Sequence, residues 1–425
     1  MTKSSRRRAL ALSSAASVAA LLALTACSSN SSAGGGSGSS GSSSGGSASS
    51  GAITLTEEDY YGSAPQNTQI QGVLNECGTQ VGVKVVHSVV PQGQLMPKLL
   101  QQAAARSLPD LMLVDNPDLQ QLASSGGLVS LSANGLSTTG LYPSIVSAGS
   151  YQGQTYGIAP GVNDLALYYN ETLFTKAGLT PPKTWAQLTA DAKALTSGTH
   201  KGIAFSAIST EEGSFQFEPF FWSAGGDLKN LASPQGVQAL TLWKSLVDGG
   251  YASKSVVNWT QADVEAQFQA GNAAMMVNGP WQLPVLNGTA GLHFGVVPIP
   301  VPAASAPAVS PLGGEVWAVG HSNSSREAKA VAMVKCLLSP TISVEWSKDA
   351  GYIPSNEAAA TQLSESDPQL APFIAEVGTA KARTAELGTA YPKVSTALWT
   401  ALQQALAGGM SPQAALSQAQ GQAGS

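Results

Sequence analysis

Charge is scarce in this 425-residue chain, with Asp, Glu, Lys and Arg making up 11%, against about 25% in an average soluble protein. So low a density excludes a nucleic-acid binder that works through a basic surface, and it argues against a long coiled coil. Cysteine is nearly absent, with three residues, too few thiols for a metal cluster. Histidine occurs four times, at His87, His200, His293 and His321, far apart and in no metal-ligand spacing. There is no Gly-x-Ser-x-Gly and no phosphate-binding glycine loop, so the common hydrolase and nucleotide signatures are missing. A membrane-spanning helix needs about 20 apolar residues. The nearest candidate, 9–26, is interrupted by Ser13, Ser14, Ser17 and Thr25.

What is present suffices for a large core. Hydrophobic residues make up 43%, with 10 Tyr, 9 Phe and 8 Trp, so the chain is not disordered. At about 100–200 residues per domain, its length suits two domains or one bilobal unit. Residues 1–51 carry Lys3, Arg6, Arg7 and Arg8 and no acid. The 21 basic residues less these four leave 17 against 26 acids, a body of net charge −9.

The chain opens with a basic stretch, a short apolar stretch and Leu24-Thr25-Ala26-Cys27, the layout of a secretory signal over 1–26. Cys27 directly after Leu-Thr-Ala resembles the lipobox of bacterial lipoproteins, which implies lipidation of Cys27 as the first mature residue. Ser5-Arg6-Arg7-Arg8 weakly resembles a twin-arginine export signal, with Ala9 where Phe is usual, so the export route stays open. Residues 28–51 are almost only Ser, Gly and Ala. They read as a flexible tether with an r.m.s. span of about 25–30 Å. The expected location is extracytoplasmic, lipid-anchored to the outer face of the plasma membrane. Cys77 and Cys336 remain in the body. Export would permit their pairing, but nothing in the sequence brings them together, and they read as two buried thiols.

From residue 52 onward, short β-branched or apolar runs alternate with helical periodicity. Ile53–Thr56, Val81–Val90, Asp110–Val114, Leu165–Tyr169, Ala273–Val277 and Gly295–Ile299 read as strands. Thr184 and Ser233-Pro234 mark helix starts. This alternation predicts an α/β fold with parallel sheets. No internal repeat and no second linker is visible, so two lobes would share one interwoven chain.

Several segments, in order, resemble the extracellular solute-binding proteins of sugar ABC transporters, the family that includes maltose-binding proteins. They are Leu108–Asp115, Tyr156–Pro160, Leu167–Phe174, Ala177–Leu179, Pro181–Trp185, Phe268–Met276, Asn278–Trp281, Gly313–Glu315 and Ile353–Asn356, spread over nearly all of 52–425. The resemblance implies a two-lobed periplasmic-binding-protein-like fold with interlobe hinge strands and a ligand cleft. Mapped onto this chain, the crossings fall near 160–163, 296–300 and 317–321. Lobe one is then 52–160 plus 298–316, and lobe two is 161–297 plus 317–425. It further implies capture of a sugar by hinge closure, delivery to ABC permease subunits, a monomer, no cofactor and no catalysis.

A sugar offers apolar C–H faces to aromatic rings and hydroxyls to carboxylates, amides and Arg, because an unpaired hydroxyl in a closed cleft is costly. Such groups are expected at strand ends, where open α/β sheets bind ligands. Glu58, Asp59 and Tyr60 follow the first strand as a rim, or else form a solvated acidic loop. Asp115 ends a strand and either binds hydroxyls or caps the next helix. Asn163 lies in the first crossing. Trp281 follows Gly279-Pro280 at a turn and corresponds to the Trp that stacks on sugar in the family. Trp222 and Trp259 are further aromatic candidates, with core as the competing reading for Trp222. Gly313 and Gly314 let a backbone approach a ligand, or form a bulge; Glu315 and Trp317 follow on a strand. Arg383 is one of few cations in an acidic body and suits a fork on hydroxyls. Trp185 and Trp243 read as core. Two other classes stay in view: a secreted glycosidase, which needs two carboxylates flanking a scissile bond, and the same fold binding a polyamine, amino sugar or other small solute.

Overall fold

The computed structural model describes residues 53–64 and 66–424; the readings on the signal, Cys27 and the tether lie outside them. Nine strands build two sheets. In chain order they are β1 (Thr54–Asp59), β2 (Lys84–Val89), β3 (Leu111–Asp115), β4 (Gly157–Ile158), β5 (Ala166–Asn170), β6 (Lys201–Ala204), β7 (Ala273–Asn278), β8 (Phe294–Val297) and β9 (Glu315–Val319). The first sheet has the order β2-β1-β3-β9-β4 and the second β8-β5-β7-β6. β1, β2 and β3 run parallel, whereas β9 is antiparallel to both β3 and β4. In the second sheet β7 is parallel to β6 and antiparallel to β5. The sheets are thus mixed rather than parallel as expected. Strands joined by a helical crossover stay parallel, but a strand returning from the other sheet is free to enter in either direction.

The helices are those the sequence can cap and bury. α1 (Gln66–Val81) buries Ile70, Val73, Leu74 and Cys77 on the first sheet. α2 (Gln92–Ala104) sets Leu95 and Leu99 against Met112 and Val114 on the opposite face. On the second sheet α3 (Trp185–Ala194) starts from a capping box in which Thr184 and Gln187 satisfy each other's backbone amides. α4 (Glu211–Ser223) and α5 (Pro234–Asp248) surround Trp243, fully buried with the Phe205, Phe217 and Phe220 rings 4.2–5.6 Å away. α6 (Gln261–Gln269) brings Phe268 to the other face. α7 (Ser324–Leu337) and α8 (Pro340–Ala350) lie with α1 under the first sheet. α9 (Ala371–Val377), α10 (Tyr391–Leu406) and α11 (Pro412–Ala423) complete the second. No helix of the described residues is long and apolar enough to cross a membrane.

The chain leaves the first sheet after Ile158 and enters the second at Ala166; it returns between Val297 and Glu315. The third crossing is not at 317–321. β9 lies whole between β3 and β4, and α7 and α8 stay against α1, so the passage to the second sheet comes only after Ile353-Pro354, which pairs with Gly161-Val162. The apolar run Trp317-Ala-Val reads like a crossing strand but is a fully buried central one. Cys77 and Cys336 form a disulfide, with Cα atoms 5.7 Å apart, against the expectation of two thiols. Their helices, α1 and α7, are neighbours under one sheet, a proximity set by the tertiary fold across 259 residues.

At the first crossing Asp164 is fully buried, and neither of its oxygens has a hydrogen-bond partner. Its neighbour is Glu376 on α9, whose pKa burial pushes up to about 8, with Ser310 pulling the other way. Burial and then Glu376 also raise Asp164. A carboxyl whose folded pKa lies above its unfolded value favours folding most below the unfolded value, about 4.5 for Glu. That contribution is lost as pH climbs to about 8. Urea melts at pH 5 and pH 8 should therefore show lower stability at pH 8, and Glu376→Gln should flatten that difference.

Candidate functional site

The cleft forms where strand ends of the first sheet face the helix starts of the second. Its lining includes Tyr60, Tyr61, Asp115, Asn163, Glu211, Glu212, Phe215, Gln261, Trp281, Gly313, Gly314, Glu315, Trp346, Tyr352 and Arg383. Its volume is about 150 Å³. At roughly 10–15 Å³ per water, that is room for about ten waters, the scale of a small organic molecule rather than an ion.

Each wall follows from local sequence. β1 and β3 point their carboxyl ends at the cleft, and antiparallel β9 begins there, so Glu315 pairs in register with Asp115. Tyr60 and Tyr61 follow β1 directly, with ring centroids 4.7 Å apart. Tyr60 donates to Glu315 at 2.5 Å and Tyr352 donates to its other oxygen at 3.1 Å. Burial, then the Asp115 charge, raises the Glu315 pKa, and the tyrosine hydroxyls oppose the shift. Opposite, Glu211 and Glu212 open α4, and Phe215 follows one turn on. Glu212 accepts the backbone N–H of Gln261, the first residue of α6, at 2.7 Å.

Arg383 joins the two walls. It is 2% exposed. It donates to both oxygens of Asp115, at 2.5 and 3.1 Å, and to Glu211 at 2.7 Å, and it stacks 4.8 Å from the centre of the Phe215 ring. Glu211 also accepts from Tyr391 and Ser395, each at 2.5 Å. Burial raises the Glu211 pKa while Arg383 lowers it. Beside the network, burial and the Asp115 and Glu211 charges push Asp118 well above the usual carboxylate range.

Trp281 lies in a short turn after β7, with the Phe215 and Tyr352 rings each 6.5 Å away. A Cβ at Gly279 would sit 1.8 Å from the Trp281 ring, so glycine is what lets the indole fold back beside the chain. Beyond Tyr60, Asp115, Glu211 and Glu212 a second chamber of about 540 Å³ adjoins the cleft. There Met96, Pro97 and Leu100 of α2 face Pro392, Thr396 and Trp399 of α10.

Of the residues expected from sequence, the cleft brings together Tyr60, Asp115, Asn163, Trp281, Gly313, Gly314, Glu315 and Arg383. Gly313 acts differently from expectation. Its N–H is taken by the Asn163 carbonyl at 2.8 Å, and a Cβ there would meet the Asn163 side chain at 2.0 Å. It fastens two crossing segments rather than offering a donor to a ligand. Glu58 and Asp59 do not line the cleft. β1 runs on to Asp59 instead of ending at Thr56, so strand alternation sends Glu58 to Lys98 on α2 at 2.9 Å and Asp59 inward to His87 at 2.9 Å. Trp317 is 1% exposed. It shares a face with Glu315 but sits two residues deeper in β9, within the core under α1, α7 and α8. Trp222 is 4% exposed and belongs to the second sheet's core, with Lys381 over its ring. Trp259 lines a separate cavity with Thr199, Lys201 and Gln267. Sequence reading missed Tyr61, Glu211, Glu212, Phe215, Gln261, Trp346 and Tyr352. The one signal for the acids was Thr210-Glu-Glu, an N-cap residue followed by a first turn rich in acid.

Residues 73–372 match the family model described as bacterial extracellular solute-binding protein. A binding protein of Brucella abortus (strain 2308) is 27% identical over 313 residues, covering 69% of this chain and 74% of that protein. The sn-glycerol-3-phosphate-binding periplasmic protein UgpB of Yersinia pestis bv. Antiqua (strain Antiqua) is 27% identical over 210 residues, 45% of this chain and 47% of that one. Among solved structures, the cyclic α-maltosyl-1,6-maltose binding protein of Arthrobacter globiformis superposes with a TM-score of 0.72 at 25% identity, covering 88% of this chain and 98% of that chain.

Proposed function

The chain belongs to the bacterial extracellular solute-binding proteins, and from that premise we propose that its cleft captures a sugar for an ABC importer. One observation carries the reading. Tyr60, Phe215, Trp281 and Tyr352 bring aromatic rings to the same cavity that Asp115, Glu211, Glu212, Glu315, Gln261 and Arg383 line with planar polar groups. That pairing matches a solute with apolar C–H faces and a rim of hydroxyls. The sugar-binding relative from Arthrobacter supports the same class.

Four carboxylates line this cavity against one guanidinium. That balance disfavours a phosphate ester, the ligand named for the Yersinia relative, and favours a neutral solute. A second reading, an amino sugar or polyamine in the same cleft, rests on the same acidic excess. The site suits binding rather than catalysis. Asp115 and Glu211 are both held by Arg383, and Glu315 by tyrosine hydroxyls, which leaves no pair of carboxyls poised as acid and nucleophile.

The proposed mechanism is hinge closure about the three crossings. Ligand touching both walls favours the closed state by its differential affinity, and permease subunits in the membrane recognise that state. The lobe limits we propose are 53–160 with 313–352, and 164–312 with 355–424. In this reading the protein works as a monomer, extracytoplasmic and lipid-anchored through Cys27.

A thermal-shift screen tests this on chain stripped of bound ligand by one unfolding and refolding cycle. Its panel spans mono-, di- and oligosaccharides, glycerol phosphate, polyamines and amino acids. Ligand at about 100 times its Kd adds about 2.7 kcal/mol to stability. A midpoint rise with one sugar class, and recovery of that sugar intact, is the expected result. Cleaved sugar would point to a glycosidase, and a polyamine response alone would overturn the ligand class. Trp281→Ala should then weaken sugar binding by about 10-fold or more, at least 1–2 kcal/mol, with the thermal midpoint of the free protein kept.

A further inference from the structure

One polar cluster lies outside the cleft, on the face of the first sheet that α1 covers. β1 and β2 run parallel with Glu57 opposite His87. Alternation along β1 turns Glu57 and Asp59 to the same side as Leu55. His87 Nε2 lies 2.9 Å from Asp59 Oδ2 and 3.6 Å from Glu57 Oε2. One donor atom from each residue falls within 4.8 Å of the other two. Both acids are 0% exposed and the His87 side chain is 5% exposed. The second Asp59 oxygen is occupied by the Tyr61 backbone N–H at 2.8 Å. Glu57 differs: the Leu113 backbone approaches its carboxyl, but neither oxygen makes a hydrogen bond of normal geometry, although the whole side chain is buried and points at the other two.

Burial, then the Asp59 and Glu58 charges, hold the Glu57 carboxyl well above the usual carboxylate range, because an unpaired charge at this depth would be costly. A divalent cation seated among the three side chains would give both carboxylates a partner. The two separations from His87, 2.9 and 3.6 Å, are also of the size a shared ion requires. Bonds of about 2.1 Å put neighbouring ligand atoms about 3.0 Å apart in an octahedron and about 3.4 Å apart in a tetrahedron.

We propose that Glu57, Asp59 and His87 form a site for a divalent transition cation, zinc or manganese. One nitrogen and two carboxylates suit these ions better than calcium, which takes oxygen ligands. β2 is the edge strand of its sheet, so the site is one strand in from the protein's side. The bound ion ties β1 to β2 immediately before Tyr60 and Tyr61, and so holds the turn that forms the cleft's rim. The sequence hid this site because its ligands come from two strands, 28 residues apart at Asp59 and His87, in no local motif.

The test uses full-length chain purified without an affinity tag, stripped with chelator and dialysed against zinc, manganese or calcium. Elemental analysis should find one zinc or manganese per chain, with a thermal midpoint several degrees above that of the stripped protein. Glu57→Gln and His87→Gln, each shown folded by circular dichroism, should lose both the bound ion and the shift. Glu57→Gln is also nearly isosteric: without a metal it should leave the chain at least as stable, so a loss of stability that appears only when metal is present separates the two readings. Absence of retained metal, an unmoved midpoint, equal binding by both variants, or a response to calcium alone would each overturn the proposal.

Discussion

Arg383→Met should destabilise the chain by about 3–5 kcal/mol and abolish ligand binding. Arg383 is 2% exposed and is the cation facing Asp115 and Glu211. Removing it leaves these two acids close together, with Glu218 behind them sharing the Tyr391 hydroxyl. Burial and the Glu211 charge already push the Glu218 pKa well up, and Arg383 opposes the shift. The loss should shrink as pH falls, because protonated carboxyls no longer need the guanidinium. Urea denaturation of wild type and variant at pH 7 and pH 4 measures this. Equal stability at pH 7 would mean that the network contributes nothing. Arg383→Lys should recover only part of the stability, since a single ammonium cannot reproduce the fork that spans both Asp115 oxygens and Glu211.

Cys77→Ala/Cys336→Ala should lower stability by about 3–5 kcal/mol while leaving ligand affinity unchanged. The bridge closes 259 residues, and longer loops forfeit more entropy in the unfolded chain. Both cysteines sit on helices beneath the first sheet, and neither lines the cleft. Guanidinium denaturation with and without reductant checks this directly. Wild type should shift to the variant's midpoint when reduced, and the variant should not respond to reductant at all.

The α/β alternation and the cleft residues at strand ends were legible because they rest on short-range pattern: Asp115 closes an apolar run, and Trp281 follows Gly-Pro. What escaped is set by tertiary register. Glu57 to Asp59 read as a rim because three acids make a poor core strand, yet His87 and Lys98 arrive from β2 and α2 to meet them. Trp317 and Glu315 share a strand face, and only depth along β9 separates a core residue from a cleft residue. Glu211 and Glu212 were hidden as an ordinary acidic first turn. The disulfide was hidden because α1 and α7 meet only when the first sheet is complete.

The position of β9 also bears on how the chain comes together in time. The first sheet is formed almost entirely by residues before 160, yet β9, at 315–319, sits between β3 and β4. As synthesis proceeds from the N-terminus, β3 emerges with one edge unsatisfied, and it stays so until about 200 more residues have followed. Such long-range closure is slow, and it exposes an apolar strand edge, Leu111 to Val114, in the interval. Neither half of the molecule can finish before the other has begun. The nascent chain therefore carries an open strand edge until its final third arrives.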